Sequence, residues 1–121
     1  MANILLVEDD LMIRRMLTMR LKMKGHEIGE AENGKLGMET AMAGNYDLVL
    51  MDMNMPVMDG YTAAVKLRQQ GYNGMIIAVT ASAMLEETSK AVDAGCDYFI
   101  SKPIGDDFEE KIQRVLDGGE P

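Results

Sequence analysis

Short apolar runs alternate along the chain with longer segments in which apolar residues recur every three or four positions. Runs of four to six residues have the length of β-strands, and runs with few polar residues are typical of strands buried on both faces of a parallel sheet. The predicted strands are Ile4–Val7, His26–Ala31, Leu48–Met51, Met75–Val79 and Tyr98–Ser101. The second run is the most polar, so we expect it at an edge of the sheet.

Each predicted strand is followed by a segment with helical periodicity. The predicted helices span residues 11–24, 35–43, 62–70, 84–94 and 107–116. Gly25, Gly44, Gly71 and Gly95 follow the first four and supply the C-terminal stops. The predicted buried faces are Ile13, Met16, Leu17 and Leu21 in the first helix, and Phe108, Ile112, Val115 and Leu116 in the last. Asp10 and Asp106 are the expected N-caps of these two helices.

Five strand–helix units with short connections predict one α/β domain over residues 1–121. Right-handed crossovers favour a five-stranded parallel sheet of order 2-1-3-4-5, a flavodoxin-like (βα)5 fold with helices on both faces. The order of strands reverses between strands 1 and 3. Ligands of such folds bind at that point, beyond the carboxyl ends of the strands.

Composition narrows the function classes. The chain is 47% hydrophobic, carries a formal net charge of −8, and has no basic stripe, which argues against binding nucleic acid or an anionic membrane. No apolar run could span a bilayer, and Glu8 interrupts the N-terminal one, so no secretory signal is expected. The single cysteine, Cys96, is expected to be a small buried side chain. A lone cysteine is typical of a reducing compartment, so we predict a cytoplasmic protein. Most of the 13 methionines are expected to fill the core, with a partner surface as the alternative.

Polar residues stand where the apolar strands stop. They are Glu8-Asp9-Asp10 after strand 1, Asp52 after strand 3, Thr80-Ala81 after strand 4 and Lys102-Pro103 after strand 5. The carboxyl ends of parallel strands meet at one edge, so these groups should cluster there. Two carboxylates ~4–5 Å apart repel by roughly 3–4 kcal/mol at an effective dielectric constant near 20. Lys102 offsets one charge and leaves at least two.

A hard divalent cation with oxygen ligands would relieve this repulsion. Mg²⁺ fits best, with Mn²⁺ as the alternative, because Mg²⁺ takes one or two carboxylates together with waters and phosphate oxygens. We expect Asp9 and Asp52 as direct ligands, the backbone carbonyl of Asn54 as a third, and Glu8 acting through water. A carboxylate beside Mg²⁺, an ammonium and the Thr80 hydroxyl suits phosphoryl transfer, with Asp52 as the acceptor.

Four segments, "LLVEDD", "LVLMDMNMPVMDG", "VTA" and "SKPI", stand in the order of a known signature. The chain resembles receiver domains of two-component response regulators, of the stand-alone type found in chemotaxis regulators. The resemblance implies that Asp52 accepts a phosphoryl group from a histidine kinase or a phosphotransfer protein. It also implies that Glu8 and Asp9 form the family's acidic pair, that Thr80 provides the switch hydroxyl, and that Lys102 is the lysine of the family signature.

The same resemblance assigns further positions. Phe99 matches the switch aromatic, the Lys102–Pro103 peptide matches a cis bond, and Asn54 and Ser82 match positions that tune the lifetime of the phosphoryl group. Ala81 lies with Thr80 among the residues around the phosphoryl group. Phosphorylation would draw Thr80 toward Asp52, let Phe99 turn inward, and change the surface of helix 4, strand 5 and helix 5 for a partner.

The chain ends directly after the fifth helix, so we expect no output domain. Output would be contact with a downstream protein or onward phosphorelay, by a monomer or weak dimer. The protein would assist its own phosphorylation and slow autodephosphorylation without being a turnover enzyme.

Three other functions remain open from the sequence. A haloacid-dehalogenase-type phosphatase also uses an Asp at a strand end with Mg²⁺, but it normally has a second acid where Asn54 stands. A flavodoxin-like flavin carrier shares the sheet order, but Glu8-Asp9-Asp10 would repel its phosphate. A receiver-shaped scaffold could bind a partner whether or not it is phosphorylated. Of the remaining residues, Asp59-Gly60 is expected to make a turn and His26 to lie on the solvated surface.

Overall fold

The computed structural model describes residues 2–81 and 84–121, in which strands and helices alternate strictly. The strands are β1 (Asn3–Val7), β2 (Glu27–Ala31), β3 (Leu48–Asp52), β4 (Met75–Thr80) and β5 (Tyr98–Ser101). The helices are α1 (Leu11–Met23), α2 (Gly34–Ala43), α3 (Gly60–Gln69), α4 (Leu85–Asp93) and α5 (Phe108–Leu116). All ten predicted elements are present. The largest shift is at α3, which begins two residues early because the Asp59 side chain caps it by accepting from Thr62 N.

The five strands form one sheet of order β2-β1-β3-β4-β5, and every neighbouring pair is parallel. This confirms the predicted flavodoxin-like fold and the edge position of β2. In the register, Val7 lies opposite Met51, and Asp52 lies opposite Val79. The strand order reverses between β1 and β3, and these two strands therefore end side by side.

Two apolar layers cover the two faces of the sheet. In β1, Ile4 and Leu6 point to one face, and Leu5 and Val7 to the other, as the period of two requires. The first face packs against α1 and α5 through Leu17, Leu21, Phe108, Ile112 and Val115. The second packs against α2, α3 and α4 through Ala41, Ala63, Ala64, Leu67 and Ala91, and Cys96 is buried there. No helix within the described residues is long and apolar enough to cross a membrane.

One of the two predicted N-caps is wrong. Asp10 caps α1 as expected, and its Oδ1 accepts a hydrogen bond from Ile13 N at 3.0 Å. At α5 the cap is Asp107 rather than Asp106, and its side chain makes no capping hydrogen bond. The backbone N–H of Phe108 donates to Gly105 O, so a turn over 105–108 delays the start of the helix by one residue.

Two predicted environments are also wrong. His26 is buried rather than solvated, and its Nδ1 accepts a hydrogen bond from Ala2 N at 3.1 Å, which offsets the cost of removing this nitrogen from water. Burial lowers the pKa of His26, which favours the neutral ring that this bond requires. Met16 is 45% exposed rather than part of the core face of α1, and Thr18 is buried instead.

Candidate functional site

The carboxyl ends of β1, β3, β4 and β5 bring the predicted polar residues to one edge of the sheet. Asp52 is the last residue of β3, and Glu8 directly follows β1. Thr80 ends β4 and lies opposite Ser101, the last residue of β5. The backbone N–H of Lys102 donates to Thr80 O at 2.7 Å, which fixes the lysine to the end of β4.

Lys102 holds the two buried carboxyl groups together. Its Nζ lies 3.2 Å from Asp52 Oδ2 and 3.3 Å from Glu8 Oε1. Glu8 is 2% exposed and Asp52 is 3% exposed, so both carboxyl groups are almost entirely removed from water. Charged groups at such positions need paired charges or ligands, and one ammonium cannot neutralise two carboxylates.

The excess of buried negative charge changes the protonation of Glu8. Burial, reinforced by the nearby Asp52 carboxylate, raises the pKa of Glu8 to about 7. Burial opposes the charge of Lys102 as well, but the carboxylates of Asp52 and Glu8 outweigh it and raise the pKa of its ammonium. The lysine is therefore charged at neutral pH, whereas Glu8 is divided between its two protonation states.

Backbone groups fix the orientation of both buried carboxylates. Asn54 N donates to Asp52 Oδ1 at 3.1 Å, and Asp10 N donates to Glu8 Oε2 at 3.1 Å. Arg14, which the sequence did not single out, donates from Nη1 to the backbone oxygen of Glu8 at 2.8 Å. Its position in the first turn of α1 gave no signal for this role, because the contact depends on how the helix packs beside β1.

The acidic cluster has the donor set of a hard divalent cation. One carboxylate oxygen from each of Glu8, Asp9 and Asp52 lies within 4.8 Å of the other two. Asp9 is exposed at the mouth of the cluster, whereas its two partners are buried. An all-oxygen site that is open on one side fits Mg²⁺, which keeps several waters and accepts a phosphate oxygen. The residues present therefore fit the predicted metal.

The remaining predicted positions lie around this cluster. Asn54 and Ala81 are exposed, Thr80 is 1% exposed, and the Lys102–Pro103 peptide bond is cis. Phe99 is 39% exposed and borders a cleft of about 220 Å³ against Thr88, Ser89, Val92 and Asp93 of α4. Ser82 lies outside the described residues.

Comparison with known proteins identifies the family. The family model of the response regulator receiver domain matches residues 4–115. The chain belongs to the response regulator receiver domain family. It is 38% identical over 120 residues to the two-component response regulator ORR41 of Oryza sativa subsp. japonica, covering 96% of this chain and 92% of that protein.

Longer relatives and solved structures of receiver domains support this family assignment. The chain is 32% identical to the transcriptional regulatory protein PcoR of Escherichia coli, covering 95% of this chain but only 50% of PcoR. The structure of TrrA from Thermotoga maritima, in complex with Mg²⁺ and BeF, is 33% identical over 95% of this chain and 99% of that one, with a TM-score of 0.83. The receiver domain of the sensor histidine kinase PA1611 from Pseudomonas aeruginosa PAO1 has Mg²⁺ coordinated in its active-site cleft. It is 30% identical over 97% of this chain and 95% of that one, with a TM-score of 0.85.

A row of methionines on α1 begins beside the acidic cluster. Met12, Met16, Met19 and Met23 are 74%, 45%, 63% and 79% exposed. Their 4-3-4 spacing places them along one side of the helix, opposite the buried Leu17 and Leu21. The expectation that methionines fill the core holds for Met51 and Met53 but is wrong for this row.

Proposed function

We propose that this receiver domain accepts a phosphoryl group on Asp52 from a phosphohistidine of a histidine kinase or phosphotransfer protein, in a Mg²⁺-dependent reaction. The observation that carries the proposal is the position of the Lys102 ammonium between the buried carboxyl groups of Glu8 and Asp52, with Asp9 beside them. Asp9 and Asp52 would hold the cation directly, together with the backbone carbonyl of Asn54, and Glu8 would hold it through water. Mn²⁺ could replace Mg²⁺ in the same oxygen site.

In the proposed reaction a carboxylate oxygen of Asp52 attacks phosphorus. The new P–O bond forms as the P–N bond to the histidine ring breaks, and the imidazole nitrogen takes a proton from water. Bound Mg²⁺ supplies neutralisation of the charge on the phosphoryl oxygens. Lys102 balances the negative charge on Asp52 and on the incoming group, and Asn54 N keeps the other carboxylate oxygen oriented. The protein thus assists its own phosphorylation and slow autodephosphorylation and does not turn over an independent substrate.

The proposed output is a change in the surface formed by α4, β5 and α5. Thr80 is buried at the end of β4, and its backbone oxygen accepts a hydrogen bond from the N–H of Lys102, directly after β5. A displacement of Thr80 toward Asp52 would therefore also displace the end of β5. Phe99 lies exposed on β5 beside a cleft against α4, from which it can turn inward. The altered surface would bind a downstream protein or support onward phosphorelay in the cytoplasm.

The methionine row of α1 is the proposed docking surface for the phosphodonor. It starts two residues after Asp10, next to the cluster that holds Asp52. Unbranched, polarisable methionine side chains adapt to a partner surface. The exposed Arg15 and Lys22 lie three residues after Met12 and Met19, beside the row, and α1 contains no acidic residue. The surface therefore fits an apolar helical face bordered by acidic residues.

Phosphorylation with acetyl phosphate and Mg²⁺ tests the proposal without a protein donor. Intact-mass measurement should show a gain of one phosphoryl group that requires Mg²⁺ and is absent from Asp52→Asn. Asp10→Asn is the matched control, because it removes one charge beside the site and keeps a good N-cap. An unchanged mass gain in Asp52→Asn would refute the site, and steady turnover of a phosphomonoester would indicate a phosphatase. Partner capture that is equal for wild type and Asp52→Asn would instead indicate a scaffold that does not depend on phosphorylation.

A further inference from the structure

Tyr61 connects α3 to α4 by two contacts of different kinds. Its hydroxyl donates a hydrogen bond of 2.6 Å to Oε2 of Glu87, in the first turn of α4. One turn later in α4, Nζ of Lys90 lies 4.3 Å from the centroid of the Tyr61 ring. The tyrosine is therefore held at its rim by an anion and on its face by a cation, both from the same helix.

The hydroxyl of Tyr61 is a permanent donor at neutral pH. Burial and the negative charge of Glu87 raise the pKa of Tyr61, so the phenol keeps its proton. Tyr61 and Glu87 are both half-buried, which limits the access of water to the bond between them. A hydrogen bond to a charged acceptor in such a place is stronger than one between neutral groups.

Tyr61 is also tied to the segment that carries Asp52. It follows Gly60, whose N–H donates to Met53 O at 3.1 Å, directly after Asp52. A side chain at position 60 would collide with the backbone oxygen of Asp52, so the start of α3 lies tightly against the acceptor residue. Tyr61 and Lys90 further line one cleft of about 420 Å³ together with Asn54. The tyrosine thus spans the short distance between the Asp52 loop and α4.

Helix α4 buries few of its side chains. Within the described residues, Thr88 and Ala91 are the buried positions of α4, whereas Leu85 and Val92 are 80% and 56% exposed. The N-cap residue, Met84, provides no side-chain cap for the helix. By contrast, α5 buries Phe108, Ile112 and Val115. The contacts to Tyr61 therefore add a hydrogen bond and a cation–π contact to the few buried positions that hold α4.

We propose that Tyr61 is a latch that holds α4 in its resting position through Glu87 and Lys90, and so sets how readily the phosphorylated conformation forms. This inference rests on the proposed function, in which α4 moves after Asp52 is phosphorylated. Contacts that exist only in the resting conformation oppose the change, and removing them shifts the population toward the activated one. By linkage, a ligand that selects the activated conformation then binds more tightly.

The test compares Tyr61→Phe with wild type in the binding of Mg²⁺ and beryllium trifluoride, a stable mimic of the phosphoryl group. Tyr61→Phe removes the hydroxyl but keeps the ring that Lys90 contacts. We expect its dissociation constant, measured by calorimetry, to fall about fivefold. Amide exchange in α4 should become faster without the mimic, while exchange in α5 stays unchanged. Glu87→Gln should act in the same direction, and the double variant should exceed neither single variant by much.

Tyr72→Phe is the matched control. The hydroxyl of Tyr72 is buried and has no hydrogen-bond partner among the described residues, so its removal should leave both readouts unchanged. An unchanged or weaker affinity in Tyr61→Phe, with wild type binding the mimic normally, would overturn the latch and leave the proposed function intact. Failure of wild type to bind the mimic or to be phosphorylated would overturn both. An equal effect of Tyr72→Phe would show that any lost phenol has this result, and would also overturn the latch.

Discussion

The ammonium nitrogen of Lys102 lies 3.3 Å from Oε1 of Glu8, although the pKa of this carboxyl group is about 7. A neighbouring cation alone would lower the pKa of a carboxyl group. Burial and the charge of Asp52 outweigh it, because one lysine serves two buried acids. At neutral pH, Glu8 is therefore divided between its protonated and ionised forms, and a divalent cation must displace the proton from the protonated form.

Binding of Mg²⁺ should strengthen with pH through the neutral range. Metal binding requires deprotonated ligands, so a proton on Glu8 competes with the ion until the pH exceeds about 7. The dissociation constant measured by calorimetry should fall between pH 6 and pH 8, and Glu8→Gln should flatten this dependence. Equal affinity of wild type at both pH values would contradict the prediction.

The stability of the metal-free protein should change in the opposite sense. The pKa of Glu8 is raised on folding from 4.5 to about 7, so between these values the folded state binds more protons than the unfolded state. The stabilisation from this proton is complete below the unfolded pKa and is lost as pH rises through the folded pKa. Urea unfolding without Mg²⁺ should give a lower free energy at pH 8.5 than at pH 5.5. Glu8→Gln should remove this component of the difference, and a wild-type stability that rises over the same range would refute it.

Replacing the acceptor should not weaken the metal-free fold. Asp52→Asn removes one of two buried carboxylates that repel each other, and the new amide oxygen can still accept from Asn54 N. We expect an equal or higher free energy of unfolding in the absence of Mg²⁺, measured by urea titration. The stabilisation should shrink when Mg²⁺ is added, since wild type then gains a ligand that the variant holds less well. A clear loss of metal-free stability would mean that the ion pair with Lys102 outweighs the repulsion.

The methionine row should affect phosphoryl transfer from a protein donor but not from a small-molecule donor. Met12→Gln with Met16→Gln removes apolar surface at two exposed positions, so the unfolding free energy should change by less than about 0.5 kcal/mol. Transfer from a phosphorylated histidine phosphotransfer protein that serves wild type should slow by about tenfold. The rate with acetyl phosphate should stay the same. Met42→Gln, an exposed methionine on α2, is the control, and equal slowing by this variant would argue against a defined docking surface.

A salt bridge that joins α1 to α5 should contribute measurably to stability. Arg20 donates from Nε and Nη2 to both carboxylate oxygens of Glu109, and Nη2 also donates to Gly105 O at 2.8 Å. The Arg20 guanidinium lies 5.4 Å from the centroid of the Phe108 ring. Arg20→Ala should lower the free energy of unfolding by about 1–2 kcal/mol, because the pair is bidentate but partly exposed.

The control for this pair is Arg15→Ala. Arg15 is an exposed arginine of the same helix, and its loss should cost less than about 0.5 kcal/mol. Equal effects of the two variants in urea unfolding would show that the geometry of the Arg20 pair adds nothing.

Much of the site could be predicted from strand ends alone. Glu8, Asp52 and Thr80 follow or end buried apolar runs, and Lys102 follows the fifth predicted strand. Parallel strands bring their carboxyl ends together whatever the loops do. The sequence predicts Lys102 near the acids only as compensation of one charge. Its geometry, and the raised pKa of Glu8, depend on burial, which a linear pattern does not report. The contact between Tyr61 and Glu87 leaves no periodic signal, because it joins two residues that lie 26 positions apart on different helices.

Helix α1 is predictable from its periodicity, but the side that it buries depends on packing. Periodicity alone identified a helix after β1 and an apolar side containing Ile13, Leu17 and Leu21. The same helix carries a second apolar row of methionines, and the pattern does not distinguish which row meets the sheet, so it predicts Met16 in the core. Packing determines which side is buried, because only one side of the helix can contact the β-sheet and branched leucines fill that contact. The other row was left facing solvent beside the acidic cluster, where a partner could reach it.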